Sequence, residues 1–209
     1  MARYKDGLNG PIKGKIGKVI ASSWRDIPYL KSFSSKPQKE ASEKQQVNRT
    51  KFKIVHTFLG SVNDCVQIAF ISDPGRRSGR NAAHSYIMKN ASYESEAGWE
   101  IDYSKVLISF GTLKPIKAAE VIATPTGITI KWDKRAAKNE QMIIALIDIQ
   151  QEIAVESVAE VNRHAGEYTL SLHDTETEFN FHVYIGTVSK DRKNASNSLY
   201  LNTIRYPAT

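Results

Sequence analysis

Beyond Trp99 the hydrophobic pattern of this 209-residue chain changes period, from the three-and-four spacing of a helix to the two-residue alternation of strands. That switch constrains the fold more than any single motif does. Eight runs, at 105–110, 120–123, 127–132, 141–149, 152–158, 166–172, 179–189 and 198–204, are separated by short polar turns at intervals near ten residues. Successive side chains of a strand point to opposite faces, so these runs predict antiparallel strands with a buried inner face, at the spacing of a β-sandwich. No internal repeat, heptad array or long low-complexity stretch interrupts them.

Upstream the pattern is helical. Ser42-Glu-Lys-Gln45 has the S-x-x-Q form of a capping box, which predicts a helix from about Glu43 towards Ala69. Val47, Ile54, Val55, Phe58, Leu59, Val62 and Val66 recur at spacings of three and four and form one buried stripe, with Lys44, Arg49, Lys51 and Lys53 on the early, exposed part. Gly60 is the expected break into two helices. Asp73-Pro74-Gly75 reads as a turn, Arg76, Arg77 and Arg80 as a basic loop, and Asn81 as the cap of a further helix through Ala91.

The first forty residues are punctuated by Gly7, Gly10, Gly14 and Gly17, with Pro11, Lys13 and Lys15 among them, a spacing that resists regular structure in free solution. Two short strands follow, 19–24 and 27–33, joined around Arg25-Asp26. A lone two-stranded hairpin is marginal in water, so this one is expected to lie on the body of the protein or on another subunit.

Charge follows the same division. Residues 1–60 hold 13 Lys plus Arg against 4 Asp plus Glu, whereas residues 101–209 hold 12 against 13, within a net charge of +7. A basic arm on a nearly neutral body suggests that one part reaches for a partner while the other packs as a module. Cys65 is the single cysteine, so no intramolecular disulfide forms and stability comes from packing, helped by assembly. The first residues lack the apolar stretch of a secretory signal, which leads us to expect synthesis in the cytoplasm without Sec-type export, with an extracellular or particle-associated destination left open. The longest strongly apolar window, 142–149, is far short of a membrane span and fits a buried strand.

Motif by motif, catalytic and metal chemistry find little support. Gly10, Gly14, Lys15 and Gly17 fall short of a phosphate-binding loop, because Ile16 stands where Ser or Thr is required and a hairpin follows instead of a helix. His56, His84, His164, His173 and His182 make no zinc-binding spacing with each other or with Cys65. Cys65 lies on the apolar side of the first helix, where a thiol behaves as a small hydrophobe. Glu94, Glu96, Glu176 and Glu178 lie in turns, and no G-x-S-x-G elbow occurs. We expect no enzyme and no cofactor. A nucleic-acid reading rests on Lys13, Lys15, Lys18, Arg25 and Lys31 interleaved with Trp24, Tyr29 and Phe33, plus Arg76, Arg77 and Arg80 as an anion contact.

Two resemblances add to this. Ile128-Thr-Ile-Lys-Trp132 resembles the B strand of a fibronectin type III module with its buried Trp, and 181–201 resembles its F strand, turn and G strand; Phe179, Phe181 and Tyr184 compete for the Tyr at the F-strand corner. The whole chain also resembles an uncharacterised bacterial family, a domain of unknown function, through Gly10-Pro-Ile-Lys-Gly-Lys-Ile-Gly17, Ser22-Ser-Trp-Arg-Asp-Ile-Pro-Tyr29, Arg49 and Phe52 in 46–52, Ile101-Asp-Tyr-Ser-Lys-Val-Leu107 and Ser196-Asn-Ser-Leu-Tyr200. The arm is similar to short proteins encoded among phage structural genes. These resemblances imply a fold and a setting and transfer no activity.

The expectation is an α+β protein: a basic arm, β-hairpin and helical module over 1–115, then a fibronectin III-like, immunoglobulin-like β-sandwich over 116–209. Its expected role is a non-enzymatic assembly component, a homo-oligomer or polymer such as a filament, surface array or phage-like particle. Lys13, Lys15, Lys18, Trp24, Arg25, Tyr29 and Lys31 are the expected contacts, towards a sandwich surface bearing Glu152, Glu156 and Glu160. The alternative is a soluble adaptor that binds nucleic acid or another anionic polymer, or an acidic partner, through the same arm.

Overall fold

A computed structural model of the protein describes residues 3–4, 10, 12–24, 27–33, 40–71, 78–96, 98–134, 139–172 and 177–207. The chain divides into two compact units, Met1–Ser42 and Glu43–Thr209.

The first unit is an antiparallel four-stranded sheet, β1 (Arg3–Tyr4), β2 (Ile12–Ile16), β3 (Val19–Trp24) and β4 (Ile27–Ser32), in the order β1-β2-β3-β4. The expected hairpin of β3 and β4 is thus joined by two more strands. The glycine-rich stretch does not resist regular structure: β2 pairs with β3 through Gly14 opposite Ala21 and Ile16 opposite Val19. Gly17 makes that pairing tight, because its φ of +57° suits the first central position of a two-residue hairpin turn, where a side chain is strained.

The second unit has three layers. Its helices are α1 (Glu43–Ser61), α2 (Asn63–Ala69) and α3 (Gly79–Asn90), followed by a hairpin of β5 (Ser92–Ser95) and β6 (Gly98–Ile101). Helix α1 begins where the capping box predicts. The break falls at Val62 rather than at Gly60, with φ −118° and ψ 34° at the start of α2. The cap of α3 is Ser78, whose Oγ accepts from the Asn81 backbone N–H at 3.2 Å, so Asn81 is the capped residue and not the cap. Gly79 at the start of α3 lies so close to α2 that a Cβ there would come within 2.0 Å of the Val66 carbonyl oxygen.

Seven more strands follow: β7 (Ala119–Thr124), β8 (Gly127–Trp132), β9 (Glu140–Asp148), β10 (Ile153–Asn162), β11 (Glu167–Ser171), β12 (Phe179–Ser189) and β13 (Leu199–Tyr206). They form a four-stranded sheet ordered β10-β9-β12-β13 and a three-stranded sheet ordered β11-β8-β7, all antiparallel. The expected strand at 105–110 does not form. A 3-10 turn at Tyr103–Lys105 precedes an extended segment whose described strand pairing is limited to single bridges, Phe70 with Phe110 and Leu113 with Ser196.

Strand β9 explains the layering. Its Met142, Ile144 and Leu146 pack with Ile128, Ile130, Trp132 and Leu170 of the three-stranded sheet, while Ile143, Ala145 and Ile147 pack with Val55, Phe58, Leu59 and Val66 of the helices. A run apolar at every position, as 142–147 is, is the signature of burial on both faces. One of the two cores therefore joins residues on both sides of 115, so the second unit runs unbroken from Glu43 across that expected boundary. Val47, expected in the buried stripe, is exposed, as are residues 43–50 of α1, and the stripe becomes buried only from Val55 onward.

At one end of the two sheets the Trp132 indole N–H donates to the Arg163 carbonyl oxygen at 2.7 Å. The Arg163 guanidinium is itself buried, donating to Glu140 at 2.7 Å and to the Lys114 carbonyl oxygen at 3.0 Å. No described helix is long and apolar enough to cross a membrane.

Candidate functional site

Residues opposite each other in an antiparallel pair share a face. In the N-terminal sheet Lys15, Ile20 and Lys31 form one cross-strand row, Ser22 stands opposite Tyr29, and Trp24 opposite Ile27. Alternation adds Lys13 and Phe33 to the same face. The Lys15 ammonium lies 3.8 Å from the centre of the Phe33 ring, a cation–π contact on that face. Thus Lys13, Lys15, Trp24, Tyr29 and Lys31, chosen from sequence as partner contacts, come together on one side of one sheet. Lys18 lies in the turn beside them, where its carbonyl oxygen accepts from the Phe33 N–H at 2.7 Å. Arg25 falls outside the described residues.

The other face carries Ile12, Ile16, Val19, Ala21, Pro28 and Leu30, and a hollow of about 410 Å³ is lined by Gly10, Ile12, Ala21, Pro28 and Leu30 among others. Of the described side chains in this unit only Ala21 is buried. Strand β4 is exposed at all six positions, with Ile27 at 63% and Leu30 at 69%, and it is the edge of its sheet. Such an edge holds unpaired backbone donors and acceptors; Pro28 withholds one donor, so pairing capacity concentrates at 29–32.

The other expected contact, the Arg76, Arg77 and Arg80 loop, is described only at Arg80. That residue lies in the first turn of α3 and ties helices together, donating to Asn63 Oδ1 at 3.0 Å and to the His56 carbonyl oxygen at 3.1 Å. Of the carboxylates expected to face a partner, Glu152 and Glu160 are exposed, whereas Glu156 is half-buried. Burial raises the Glu156 pKa, opposed in part by hydrogen bonds with Cys65. Burial likewise pushes the Cys65 thiol well up, with the Glu156 charge adding to it, so the thiol stays protonated at neutral pH.

Two of the described histidines are engaged in packing. His84 lies 4.3 Å from the Phe52 ring and has its pKa lowered by desolvation; His182 lies 4.4 Å from the Tyr103 ring and shares its Nδ1 with the hydroxyls of Tyr200 and Thr203. No group of three or more described His, Cys, Asp or Glu residues is placed to hold a metal ion. His173 and Glu176 lie outside the described residues.

Sequence reasoning did not assign a role to Ser196-Asn-Ser-Leu-Tyr200, and the structure does. Ser196 Oγ accepts from the Thr187 N–H at 3.0 Å, Asn197 Oδ1 from the Gly111 N–H at 3.3 Å, and Ser198 Oγ from the Ile108 N–H at 3.0 Å. The motif clamps the extended segment 106–113 onto the turn between β12 and β13. Only the hydrogen-bonding residue types hinted at this from sequence.

These features define a class: an α+β protein with a helix-covered pair of antiparallel sheets and a separate, largely exposed N-terminal sheet. The chain belongs to DUF6266, a family of unknown function, whose model matches residues 11–202 and so spans both compact units. No curated protein and no solved structure matches it.

Proposed function

We propose that this protein is a non-enzymatic structural protein that self-associates through its N-terminal sheet, as a subunit of a filament, surface array or phage-like particle. The observation that carries the reading is β4, an edge strand exposed along its whole length and bearing Ile27, Tyr29 and Leu30. A unit of some forty residues with one buried side chain among those described does not bury enough of itself to be stable alone. Addition of β4 to a sheet edge of a neighbouring copy supplies both the missing hydrogen bonds and cover for the apolar side chains. Trp24 and Tyr29 are the anchors, and the lysines, attracted to carboxylates such as Glu160, set orientation more than affinity.

The receiving body is, in this reading, a fibronectin III-like sandwich. Its support is the strand arrangement: the first, second and fifth of seven strands form one sheet and the remaining four the other, with Trp132 buried on the second strand. The helical layer on the four-stranded sheet is an addition to that plan.

Light scattering on the full chain beside a chain lacking residues 1–42 tests assembly. A polymeric full chain and a folded, monomeric truncation support it; two monomers sink it.

A second reading is favoured by the face shared by Lys13, Lys15 and Lys31 with Trp24, Tyr29 and Phe33, namely contact with a nucleic acid or another anionic polymer. It requires binding that weakens steeply with salt. Retention on single-stranded DNA that is unchanged from low to moderate salt, or absent, removes it.

A further inference from the structure

Helix α1 presents two stripes. One, through Val55 and Leu59, enters the core. The other, Thr50, Lys53, Ile54, Thr57, Phe58 and Ser61, lines a cavity of about 460 Å³ whose remaining walls are Ile101, Tyr103, Ile149 and Glu152. That volume lies within the range of small-molecule sites, and the walls follow their usual plan, an apolar body with a few polar groups. The floor is aromatic, with the Phe58 and Tyr103 rings 5.8 Å apart and tilted by 44°. Tyr103 is held from behind, because its carbonyl oxygen accepts from the Tyr184 hydroxyl at 2.7 Å and its ring packs on His182.

The polar groups on this cavity are uncommitted. Thr50 Oγ1 donates to the Gln46 carbonyl oxygen, but among the described residues Lys53, Thr57, Ser61 and Glu152 take neither a side-chain hydrogen bond nor an ion pair. A cation and a carboxylate therefore both line the cavity with no partner. A ligand with a single charge meets one attraction and one repulsion there, whereas a ligand carrying both charges gains two attractions.

We infer that this cavity binds a small zwitterion with an aromatic body, of the chemical class of aromatic amino acids, its ring against Phe58 and Tyr103, its carboxylate towards Lys53 and its ammonium towards Glu152. The site lies wholly within the second unit and does not depend on the assembly reading.

The test titrates isotope-labelled full-length protein with L-tryptophan, tryptamine and indole-3-propionate, which share one ring system and differ in charge, following the backbone amides of Ile101 and Tyr103. The expected result is saturable shifts with tryptophan tightest. Lys53→Ala weakens tryptophan and indole-3-propionate about three-fold and tightens tryptamine, which it repels, and Glu152→Gln weakens tryptophan and tryptamine and tightens indole-3-propionate, by the small factors of exposed ion pairs. Thr57→Trp, at an exposed helix position beside the cavity, abolishes all three titrations while the melting temperature is kept. Saturable shifts that do not rank by ligand charge, shifts that survive Thr57→Trp, or no saturable shift with any of the three overturns the inference.

Discussion

The Tyr184 hydroxyl donates to the Tyr103 carbonyl oxygen at 2.7 Å, so a side chain from the middle of β12 holds the 3-10 turn that closes the helical layer. Burial, with Tyr200 and Tyr103 beside it, raises the Tyr184 pKa far above that of a free phenol. A raised folded-state pKa favours the protonated form, so this contribution is complete below pH ~10, the unfolded value, and is lost as pH rises beyond it. Tyr184→Phe should cost about 1 kcal/mol at neutral pH in urea unfolding. In an alkaline absorbance titration one tyrosine of the native protein should stay un-ionised until the fold gives way.

Glu156 gives a pH dependence of the same sign. Its pKa is raised by burial, so the native state prefers it protonated; that stability is present below about pH 4 and is lost as pH rises through the folded value. Glu156→Gln, which cannot ionise, is therefore expected to raise the melting temperature at pH 8 and leave it unchanged at pH 4. Calorimetry at the two pH values decides it; an equal effect at both would assign the change to packing.

Arg163 and Glu140 form a buried pair 2.7 Å apart. Removing one partner leaves the other charge buried and alone, so Glu140→Gln should lose about 3 kcal/mol of stability in urea. Replacing both residues with Met should recover most of that loss, because the isolated charge is what destabilises. A double variant as unstable as the single one would show that the pair's hydrogen bonds to the Lys114 carbonyl and its surroundings matter more.

Leu30 and Ile144 are both large and apolar, and their roles are opposite. Ile144→Ala opens a cavity between the two sheets and should cost about 3 kcal/mol. Leu30→Asp should leave the melting temperature of the second unit untouched and reduce the solution mass, since Leu30 is 69% exposed. Light scattering and thermal melts on the same samples separate the two outcomes.

Much of this architecture was legible in the sequence, and its misses have physical causes. The alternation of 127–132 and the continuous apolar run 142–147 within 141–149 predicted β8 and β9, because burial on one face or on two leaves different residue patterns. Segment 105–110 has strand composition but is held by side chains, with Ser198 Oγ bonding the Ile108 N–H and Asn197 Oδ1 the adjoining Gly111 N–H from about ninety residues away, a long-range pairing invisible to local pattern. Strand β2 was missed because Gly14 and Gly17 score against a strand, although one of them makes the turn that builds it. The shared face of Trp24, Tyr29 and Lys31 was within reach of parity counting along the two paired strands, whereas Lys13 and Lys15 join it only through β2. The cavity was not: Lys53 read as an ordinary exposed helix lysine, and nothing local connects it to Tyr103 or Glu152.

The two-sided burial of β9 bears on how such a protein can be inherited. A free-standing sandwich can be copied and strung along a chain as a cassette, since every face it needs travels with it. Here Ile143, Ala145 and Ile147 lie under the helices, so a fragment starting at residue 116 would carry a bare apolar wall and would clump. A transplant that carries both faces of β9 with their cover therefore starts at Glu43, helices included, where the second compact unit begins.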